Sequence, residues 1–506
     1  METRQINDNV LTLYLPQKQK TKIILILILA FVVRLAGIAS RPIWYDEAFS
    51  ILLSEQGPSA ILSGTLARDV DSSAAEEHPP AYYFALWGWM RLFGNSLVAV
   101  RALSICASLG VVFCVYLIAK KLYNQPTALV AALLSAVLPF QVHYGQEIRM
   151  YVFMTFWLCL ATYAFLKRQW ILFSVAAALA QYTHNLAAFY LIPLALTPVF
   201  QRDWKTLRAL TVAGFAAILI YSPWLMQLPA QLSKVTTNFW IERPGVEKLF
   251  TLLLVYLPHL PLPNGALLPA LALATLTVAL AAFQTYRAKT ASGFWLAYLS
   301  FAPPLLLWLV SQFSPMYVER ALLPSHALFC VWLSWAFTQT KLPRPIQWLA
   351  FALIFVSAGI GLYQHVVYKG FPYIESASIN ENVRGRLQEG DAIVHSNKLS
   401  YLPSFYFDRA LRVRETYIAD PRGSGSDTLS PATRKILGLN VYENIESASA
   451  NATRVWFVIY QRSIDEYKSQ GHATHPHLAY LNKYFTLESV ATWNDIQVYV
   501  YRRSSP

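Results

Sequence analysis

The stretch Ile43-Trp44-Tyr45-Asp46-Glu47-Ala48-Phe49-Ser50 places two adjacent carboxylates directly after the first hydrophobic span of the chain. A second polar stretch, Glu76-Glu77-His78-Pro79-Pro80-Ala81-Tyr82-Tyr83, precedes the next span. Because no hydrophobic span separates them, both stretches belong to one loop on one side of a membrane. We interpret this loop as a site, and the rest of the chain as the scaffold that holds it at the membrane surface.

The composition predicts a polytopic membrane protein. Of the 506 residues, 55% are hydrophobic and 14% are charged, whereas soluble proteins carry about 25% charged residues. The net charge of +13 lies mostly in short basic clusters between apolar runs, as it does in cytoplasmic loops. We therefore attribute the charge to membrane topology and reject nucleic-acid binding. All four cysteines lie within apolar runs, which predicts buried thiols rather than disulfides or metal ligands.

The first hydrophobic span, Ile23–Ser40, resembles a signal peptide near its end, but Arg34 interrupts the apolar core and favours an anchored helix. Further spans are predicted at Leu97–Ala119, Thr127–Gln141, Tyr151–Leu166, Trp170–Tyr182, Leu186–Phe200, Leu207–Met226, Leu267–Ala282, Gly293–Ser311, Ala321–Phe337 and Ile346–Tyr363. The total is about eleven crossings, several of them shorter than the ~20 residues that a spanning helix needs. Phe250–Leu262, which contains Pro258 and Pro261, is predicted to lie in the membrane interface or to re-enter the membrane.

Basic residues orient these spans. With residues 1–21 as a cytoplasmic tail, alternate loops carry Lys120-Lys121, Lys167-Arg168, Arg202 with Lys205 and Arg208, Arg287 with Lys289, and Lys341 with Arg344. All of these loops then face the cytoplasm, as the positive-inside rule requires. The first outer loop becomes residues 41–96, within a transmembrane catalytic domain at residues 22–367.

After this domain the composition becomes mixed, and strand-like runs appear at Asp391–His395, Val455–Tyr460 and Ile496–Tyr501. These runs are rich in β-branched and aromatic residues, and helical stretches such as Asn380–Gln388 lie between them. Residues 368–506 are therefore predicted to form a small α/β domain. An odd number of crossings places this domain on the outer, extracytoplasmic side, together with the acidic loop.

Asp46 is the first candidate for chemistry. It could simply cap a helix, since Ala48, Ile51 and Leu52 form an apolar stripe at helical spacing. Alternatively, partial desolvation beside the bilayer would raise its basicity. It could then accept a proton from an incoming hydroxyl group. Both interpretations remain open on the sequence, and Glu47 is the second acidic candidate.

The Glu77-His78-Pro79-Pro80 stretch is the second candidate. The prolines fix the backbone and aim the preceding side chains. Glu76, Glu77 and His78 could ligate a divalent cation, or His78 could contact an anionic ligand directly. The simpler alternative is a turn before an interfacial helix at Tyr82–Phe93.

Basic residues on the outer side form the third group, namely Arg149, Lys234, Arg243 and Arg320. An arginine fork binds phosphate through two hydrogen bonds. The alternative is structural pairing of Arg149 with Glu147, and of Arg320 with Glu319. A transporter would be expected to carry polar sites and broken helices at the bilayer midplane, whereas these candidates lie at helix ends. The arrangement favours a membrane-surface enzyme whose substrate is half lipid and half polar, with an anionic junction.

Three motifs in order, Trp44-Tyr45-Asp46-Glu47-Ala48, His78-Pro79-Pro80-Ala81-Tyr82-Tyr83 and Glu147-Ile148-Arg149-Met150-Tyr151, resemble the GT-C membrane glycosyltransferases. The resemblance is to the protein O-mannosyltransferase and aminoarabinose transferase superfamily, including RgtA-like enzymes, and it covers about residues 23–363. It implies a polyprenyl-phosphate sugar donor and transfer with inversion. It also implies Asp46 as general base with Glu47 beside it, and a donor-positioning role for the Arg149 motif.

The same resemblance bears on the Pro-Pro motif. The aminoarabinose transferases have a phosphate-contacting lysine before the Pro-Pro pair, preceded by a metal-ligating glutamate. Those positions are His78 and Glu77 here, so Glu77 keeps the metal role while His78 replaces the lysine. The candidate donor-binding residues are then His78, Tyr82, Arg149, Lys234, Arg243 and Arg320.

The sequence therefore predicts a multi-pass protein of the plasma (inner) membrane that builds cell-envelope glycans. It would transfer a hexose or pentose from a polyprenyl-phosphate donor to a glycan, lipid or protein acceptor. The alternative from another class is a flippase for lipid-linked sugars, with the acidic loop as its gate.

Overall fold

The computed structural model describes residues 17–65, 78–229, 241–419, 429 and 431–504. Helices dominate the first 367 residues, and a sheet with flanking helices follows. The helices are α1 Gln17–Leu35, α2 Tyr45–Glu55, α3 Pro58–Thr65, α4 Ala81–Phe93, α5 Leu97–Leu122, α6 Gln125–Val137, α7 Pro139–Gln146, α8 Tyr151–Lys167, α9 Trp170–Thr183, α10 Ala188–Phe200, α11 Trp204–Leu225, α12 Glu247–Tyr256, α13 Asn264–Ala288, α14 Ala291–Ser311, α15 Leu323–Thr338, α16 Arg344–Val367, α17 Ser376–Arg384, α18 Lys398–Phe407, α19 Pro431–Leu437, α20 Ile445–Ser449, α21 Gln461–Ser469 and α22 Pro476–Tyr484.

The predicted hydrophobic spans coincide with helices, but helix length does not establish eleven crossings. Within the described residues, six helices are long and apolar enough to cross a membrane: α5, α11, α13, α14, α16, and α15 with the short turn before it. A seventh crossing arises if α6 and α7, which meet at a bend of 57°, form one broken span. The bend has a local cause, because Pro139 has no N–H to continue the helix. The helices α8 and α9 are apolar but shorter.

The segment predicted to lie in the interface contains α12, which has 10 residues and is too short to span a membrane. The helix ends at Tyr256, and two prolines follow within five residues. His259, between those prolines, has a positive φ of 64°. This irregular turn matters because His259 lines a cavity described below.

The C-terminal region contains six strands, β1 Asp391–His395, β2 Glu415–Ile418, β3 Val441–Tyr442, β4 Arg454–Tyr460, β5 Phe485–Trp493 and β6 Ile496–Arg503. They form one sheet in the order β3-β2-β1-β4-β6-β5. The first four strands in this order run parallel, while β6 and β5 are antiparallel additions. Every residue of β4 is buried, as expected for a central strand covered on both faces. The three strand-like runs of the sequence correspond to β1, β4 and β6.

The sheet region rests directly on the acidic loop. The N–H of Ile374 donates to the carbonyl of Ile43 at 3.2 Å, which is three residues before Asp46. Helix α18 packs on α2, and Arg409 forms a salt bridge with Glu55 at 2.6 Å. The two regions that the sequence assigns to the same side of the membrane are therefore in contact.

Candidate active site

Asp46 lies in the first turn of α2, and the residue at the N-cap position is Trp44, in an extended conformation. Asp46 is therefore inside the helix and is not its cap. Acidic side chains in a first turn are stabilised by the positive end of the helix dipole. Ile51 and Leu52 bury the opposite face of α2, so that burial and dipole together fix where the Asp46 carboxylate points.

Two arginines from distant parts of the chain meet the Asp46 carboxylate. Arg320 places Nη1 3.0 Å from Oδ2, and Arg149 places Nε 3.7 Å from the same oxygen. Arg149 precedes α8, while Arg320 lies in the short turn before α15. The Asp46 side chain keeps 17% of its surface exposed, so a substrate atom can reach it.

The electrostatic surroundings lower the pKa of Asp46 below its ordinary value. Burial is the largest influence and raises the pKa, but the charges of Arg149, Arg320 and His78 together outweigh it. The expectation that desolvation makes this carboxylate more basic is therefore wrong, because the neighbouring positive charges have the larger effect. Asp46 is ionised at neutral pH and held by two cations.

Neither arginine pairs with the glutamate beside it in sequence. Arg149 donates through Nη1 to Ser50 Oγ at 3.1 Å and to the Tyr83 hydroxyl at 3.2 Å. The guanidinium carbon of Arg320 lies 5.3 Å from the ring centroid of Trp44 and 5.0 Å from that of Tyr151, within reach of cation–π attraction. Their sequence neighbours have other partners: Glu319 forms a salt bridge with Lys248, and Glu147 accepts a hydrogen bond from Trp44.

Glu47 points away from Asp46 because successive helical residues are rotated by about 100°. Its side chain is fully buried, with Oε2 3.6 Å from Arg101 Nη2. Its Oε1 accepts a hydrogen bond from the N–H of Ile148 at 3.0 Å. Arg101 in turn donates to the carbonyls of Ile38, Arg41 and Pro42 at 2.8, 2.9 and 3.2 Å. Glu47 thus ties α2 to the segment that leads into it.

The other predicted site residues are distributed unevenly. His78 is half-buried, with its ring 4.4 Å from that of His184, and its charge acts on Asp46. Tyr82 is 1% exposed and packs edge-on against Tyr83 and Phe153, in the apolar core. Arg243 is exposed in the segment before α12.

Two predicted residues, Glu77 and Lys234, lie outside the described residues. Within the described ranges, no cluster of three histidine, cysteine, aspartate or glutamate side chains is arranged to hold a metal ion. Because Glu77 lies outside the described residues, its metal-binding role stays a prediction from the sequence.

Arg34, the charge buried within the first span, is structural. It donates to the Ser108 hydroxyl at 2.7 Å, to the carbonyls of Ala30 and Ala136 at 3.1 and 2.8 Å, and to that of Ser135 at 3.2 Å. Its guanidinium donates mainly to carbonyl groups and joins α1, α5 and α6, and no acidic side chain among the described residues pairs with it.

A cavity of about 380 Å³ adjoins the Asp46 site. Arg320, Trp44 and Glu147 form part of its wall, and residues outside the sequence motifs form much of the rest: Arg41, His143, Tyr144, His259, Gln364, His365 and Tyr373. A sequence signal was present, since the three histidines lie at or near the ends of apolar runs, where ionisable residues are usually functional. No spacing linked them, because they come from separate helices.

A directed chain of hydrogen bonds crosses one wall of this cavity. Gln146 Nε2 donates to the carbonyls of Arg34 and Ala36 at 2.6 and 2.8 Å, so its Oε1 accepts from His365 Nε2 at 2.7 Å. In a neutral His365, Nδ1 is then an acceptor, and His143 Nδ1 must donate to it at 3.1 Å. The Nε2 atom of His143 is left to accept from Arg41 at 3.3 Å. The chain thereby fixes both tautomers and the position of Arg41.

Burial raises the pKa of Glu147 to about 7, with Glu47 adding to this effect and Arg320 opposing it. The folded state therefore binds this proton more tightly than the unfolded chain, in which glutamates titrate near 4.5. The stabilisation is complete below about pH 4.5 and is lost as the pH rises to about 7. Glu147 is a titrating group beside the Asp46 site.

We expect Glu147→Gln to raise the Tm by roughly 2 °C at pH 8 and to leave it unchanged at pH 5. Glutamine mimics the protonated acid, so the variant avoids the cost of a buried charge at high pH. Thermal unfolding of the purified protein at both pH values measures this difference. Glu446→Gln, at an exposed position, is the control. Parallel pH dependence of the wild type and Glu147→Gln would contradict the assignment.

Comparison with known proteins finds similar sequences for part of the chain. Residues 77–226 match the dolichyl-phosphate-mannose-protein mannosyltransferase family. A stretch of 170 residues is 29% identical to the undecaprenyl phosphate-alpha-4-amino-4-deoxy-L-arabinose arabinosyl transferase of Pseudomonas aeruginosa. That match spans 31% of this chain and 31% of the relative, so the chain aligns with about a third of the length of its curated relative.

Solved structures share the fold over nearly the whole chain. ArnT from Cupriavidus metallidurans matches with a TM-score of 0.61 and 14% identity, covering 96% of this chain and 98% of ArnT. The Archaeoglobus fulgidus oligosaccharyltransferase, solved with Zn and sulfate, matches with a TM-score of 0.51 and 12% identity, covering 95% of this chain and 73% of that one. The chain is therefore similar in sequence, over part of its length, to the mannosyltransferase family and the arabinosyl transferase, and in fold, over nearly all of its length, to ArnT and the oligosaccharyltransferase, in agreement with the GT-C resemblance of the sequence.

Proposed function

We propose that the chain is a glycosyltransferase that moves a sugar from a polyprenyl-phosphate donor to an acceptor hydroxyl. The observation that carries this proposal is a partly exposed carboxylate, Asp46, held by two arginines at the edge of a polar cavity. The curated relative is named for an undecaprenyl-phosphate sugar. ArnT has also been solved bound to undecaprenyl phosphate, in a structure that matches this chain with a TM-score of 0.59.

In this proposal Asp46 is the general base. Its carboxylate accepts the proton of the acceptor hydroxyl, and the acceptor oxygen attacks the anomeric carbon from the face opposite the phosphate. The bond between that carbon and the phosphate oxygen breaks, its electron pair leaves with the polyprenyl phosphate, and the configuration inverts. Arg149, Arg320 and His78 stabilise the charge that develops on the departing phosphate.

The same geometry makes the basicity of Asp46 depend on whether the donor is bound. The arginines that lower the pKa of Asp46 are also the forks that suit a phosphate. An arriving phosphate shares their positive charge and adds a nearby negative charge, and both effects raise the pKa of Asp46. The base is thus strengthened only when the donor is in place.

The remaining predicted residues take supporting roles. Glu47 is fully buried and acts as a positioning residue for α2. Tyr82 supports Tyr83, which contacts Arg149. Arg243, Lys234 and a metal at Glu77 stay as predictions from the sequence.

The distribution of basic loops supports one orientation of the chain in the membrane. We place the catalytic loop and the α/β domain of residues 368–506 on the extracytoplasmic face of the plasma membrane. The acceptor is a glycan, lipid or protein.

The test is donor turnover by the purified protein in nanodiscs. A panel of polyprenyl-phosphate sugars is offered to the wild type and to Asp46→Asn, and release of polyprenyl phosphate is measured. Release by the wild type alone is the expected result, and loss of release with a chelator would add a metal. A lack of turnover with every donor, combined with passage of sugar-lipid across a vesicle membrane containing the protein, would replace the enzyme with a flippase.

A further inference from the structure

His184 follows the last residue of α9 and caps the short helical turn Asn185–Ala187. Its side chain is buried, and its Nδ1 atom accepts a hydrogen bond from the N–H of Leu186 at 3.0 Å. A ring nitrogen that accepts from a backbone N–H carries no proton, so in the neutral imidazole the proton lies on Nε2. The backbone of the turn therefore fixes the tautomer of His184.

The Nε2–H group of His184 is a buried donor, and it has no hydrogen-bond partner in the part of the chain that the structure describes. Burial lowers the pKa of His184 well below its ordinary value. The charges of His78, Arg149 and Arg320 lower this pKa further, so the ring is neutral at neutral pH. A buried N–H without an acceptor is costly, which makes an acceptor from outside the protein the natural explanation.

The rings that surround His184 belong to the Asp46 site. The His78 ring centroid lies 4.4 Å from that of His184, and the Tyr151 centroid lies 5.2 Å away. Tyr151 is also the ring over which the guanidinium of Arg320 lies, with its carbon 5.0 Å from the centroid. The same guanidinium contacts the Asp46 carboxylate. The unsatisfied N–H is therefore next to the groups to which the sugar transfer is assigned above.

We propose that His184 is a further substrate-contacting residue, and that its Nε2–H donates a hydrogen bond to a phosphate oxygen of the polyprenyl-phosphate donor. The inference rests on the proposed glycosyltransferase function, and it adds a residue from outside the three sequence motifs. Hydrogen bonds to an ionised oxygen are roughly twice as strong as neutral ones. Because the ring is neutral, His184 contributes direction, whereas Arg149 and Arg320 supply the charge.

The attacking oxygen of the reaction fits such a donor less well. The acceptor hydroxyl gives its proton to Asp46 and needs a lone pair for the anomeric carbon, and an N–H donor on that lone pair would hinder the attack. The phosphate instead gains negative charge as its bond to the sugar breaks, so a hydrogen bond to it becomes stronger towards the transition state. A contact from His184 therefore supports both the binding of the donor and the departure of its phosphate.

Two substitutions separate the two ring nitrogens. In His184→Asn the side-chain oxygen takes the place of Nδ1, so the cap on Leu186 is kept and the distant donor is lost. In His184→Gln the amide nitrogen reaches the place of Nε2, so the donor is kept and the cap is weakened. We expect His184→Asn to keep the wild-type Tm and to bind undecaprenyl phosphate about 10- to 100-fold more weakly. His184→Gln should recover most of that affinity with a lower Tm.

A lipid-binding titration in nanodiscs measures these affinities, with undecaprenol, which lacks the phosphate, as the second probe. Binding of undecaprenol is expected to be the same in all variants. His475→Asn is the matched control, because His475 caps α22 in the same way, with Nδ1 accepting from the N–H of His477 at 3.3 Å. In ¹⁵N-histidine NMR, the Nε2–H signal that His184→Asn removes is expected to shift when undecaprenyl phosphate is added to the wild type.

An unchanged affinity of His184→Asn for undecaprenyl phosphate would overturn the inference. Equal losses for undecaprenyl phosphate and undecaprenol would also overturn it, as would equal losses in the asparagine and glutamine variants, because the role would then be structural. If His184→Asn does not fold, His184→Gln identifies the NMR signal, and a signal that the lipid does not shift contradicts the contact.

The lipid titration also separates this inference from the proposed enzyme. Binding of undecaprenyl phosphate that depends on His184, without sugar release from any donor, would end the proposed enzyme and leave the phosphate contact in place. Sugar release by a wild type whose affinity for the lipid equals that of His184→Asn would do the reverse.

Discussion

Asp46→Asn is expected to lower the rate of sugar transfer by about 10²–10⁴-fold, the range that a general base contributes. Asparagine has nearly the same shape, and its amide oxygen can still accept from Arg320 Nη1, which lies 3.0 Å from Oδ2 in the wild type. What it cannot do is accept the proton of the acceptor hydroxyl. The loss should therefore appear in kcat, with the fold intact.

The affinity of Asp46→Asn for the donor lipid should not fall with its kcat. Asp46 neutralises part of the charge of Arg149 and Arg320, and its removal leaves both cations freer for the donor phosphate. The Kd for polyprenyl phosphate is therefore expected to stay the same or to fall. Release of polyprenyl phosphate measures kcat, and a lipid-binding titration measures Kd. Asp465→Asn, at an exposed position of α21, is the matched control. A variant that keeps more than a tenth of the wild-type kcat would show that Asp46 is not the base.

The proximity of these three residues is predictable from the sequence because its signals are local. Asp46, Arg149 and Arg320 lie beside ends of apolar runs on the same predicted side of the membrane, so topology alone brings them near one another. The helical cores follow from hydrophobic runs in the same way. Neither topology nor hydrophobicity predicts which carboxylate oxygen contacts which guanidinium. Neither predicts that the arginines lower the pKa of Asp46.

The orientation of Glu47 and the wall of the cavity cannot be predicted from the sequence, because both depend on the three-dimensional packing. Glu47 looks equivalent to Asp46 until the helical rotation sends it into the core against Arg101. The wall of the cavity joins His143 to His365, which are 222 residues apart, and no periodicity connects positions at such separation.

Tyr82 belongs to a motif that suggests contact with substrate, yet its face of α4 packs inward. Helix length supports six crossings among the described residues, or seven if α6 and α7 form one broken span, so the count of eleven stays a prediction.

Glu47→Gln is expected to lower the free energy of unfolding by about 3–5 kcal/mol, because it leaves the charge of Arg101 buried without its acid. Both side chains of this pair are 0% exposed, so water cannot replace the lost partner. The glutamine can still accept from the N–H of Ile148, so the loss is mainly electrostatic. Thermal unfolding in detergent should show the Tm falling by roughly 3–5 °C. Glu55→Gln is the matched control, because its partner Arg409 is 50% exposed and such pairs contribute about 1 kcal/mol or less.

A double variant separates a positioning role for Glu47 from a chemical one. Arg101→Met alone should also destabilise the fold, because it strands the Glu47 carboxylate. Combining the two changes should recover part of the stability, since both buried charges are then gone. If Glu47 only positions α2, transfer activity should follow stability across the three variants. A Glu47→Gln protein that keeps the wild-type Tm but loses transfer would instead mean that Glu47 acts on the substrate, and that the Arg101 contact loosens when the donor binds.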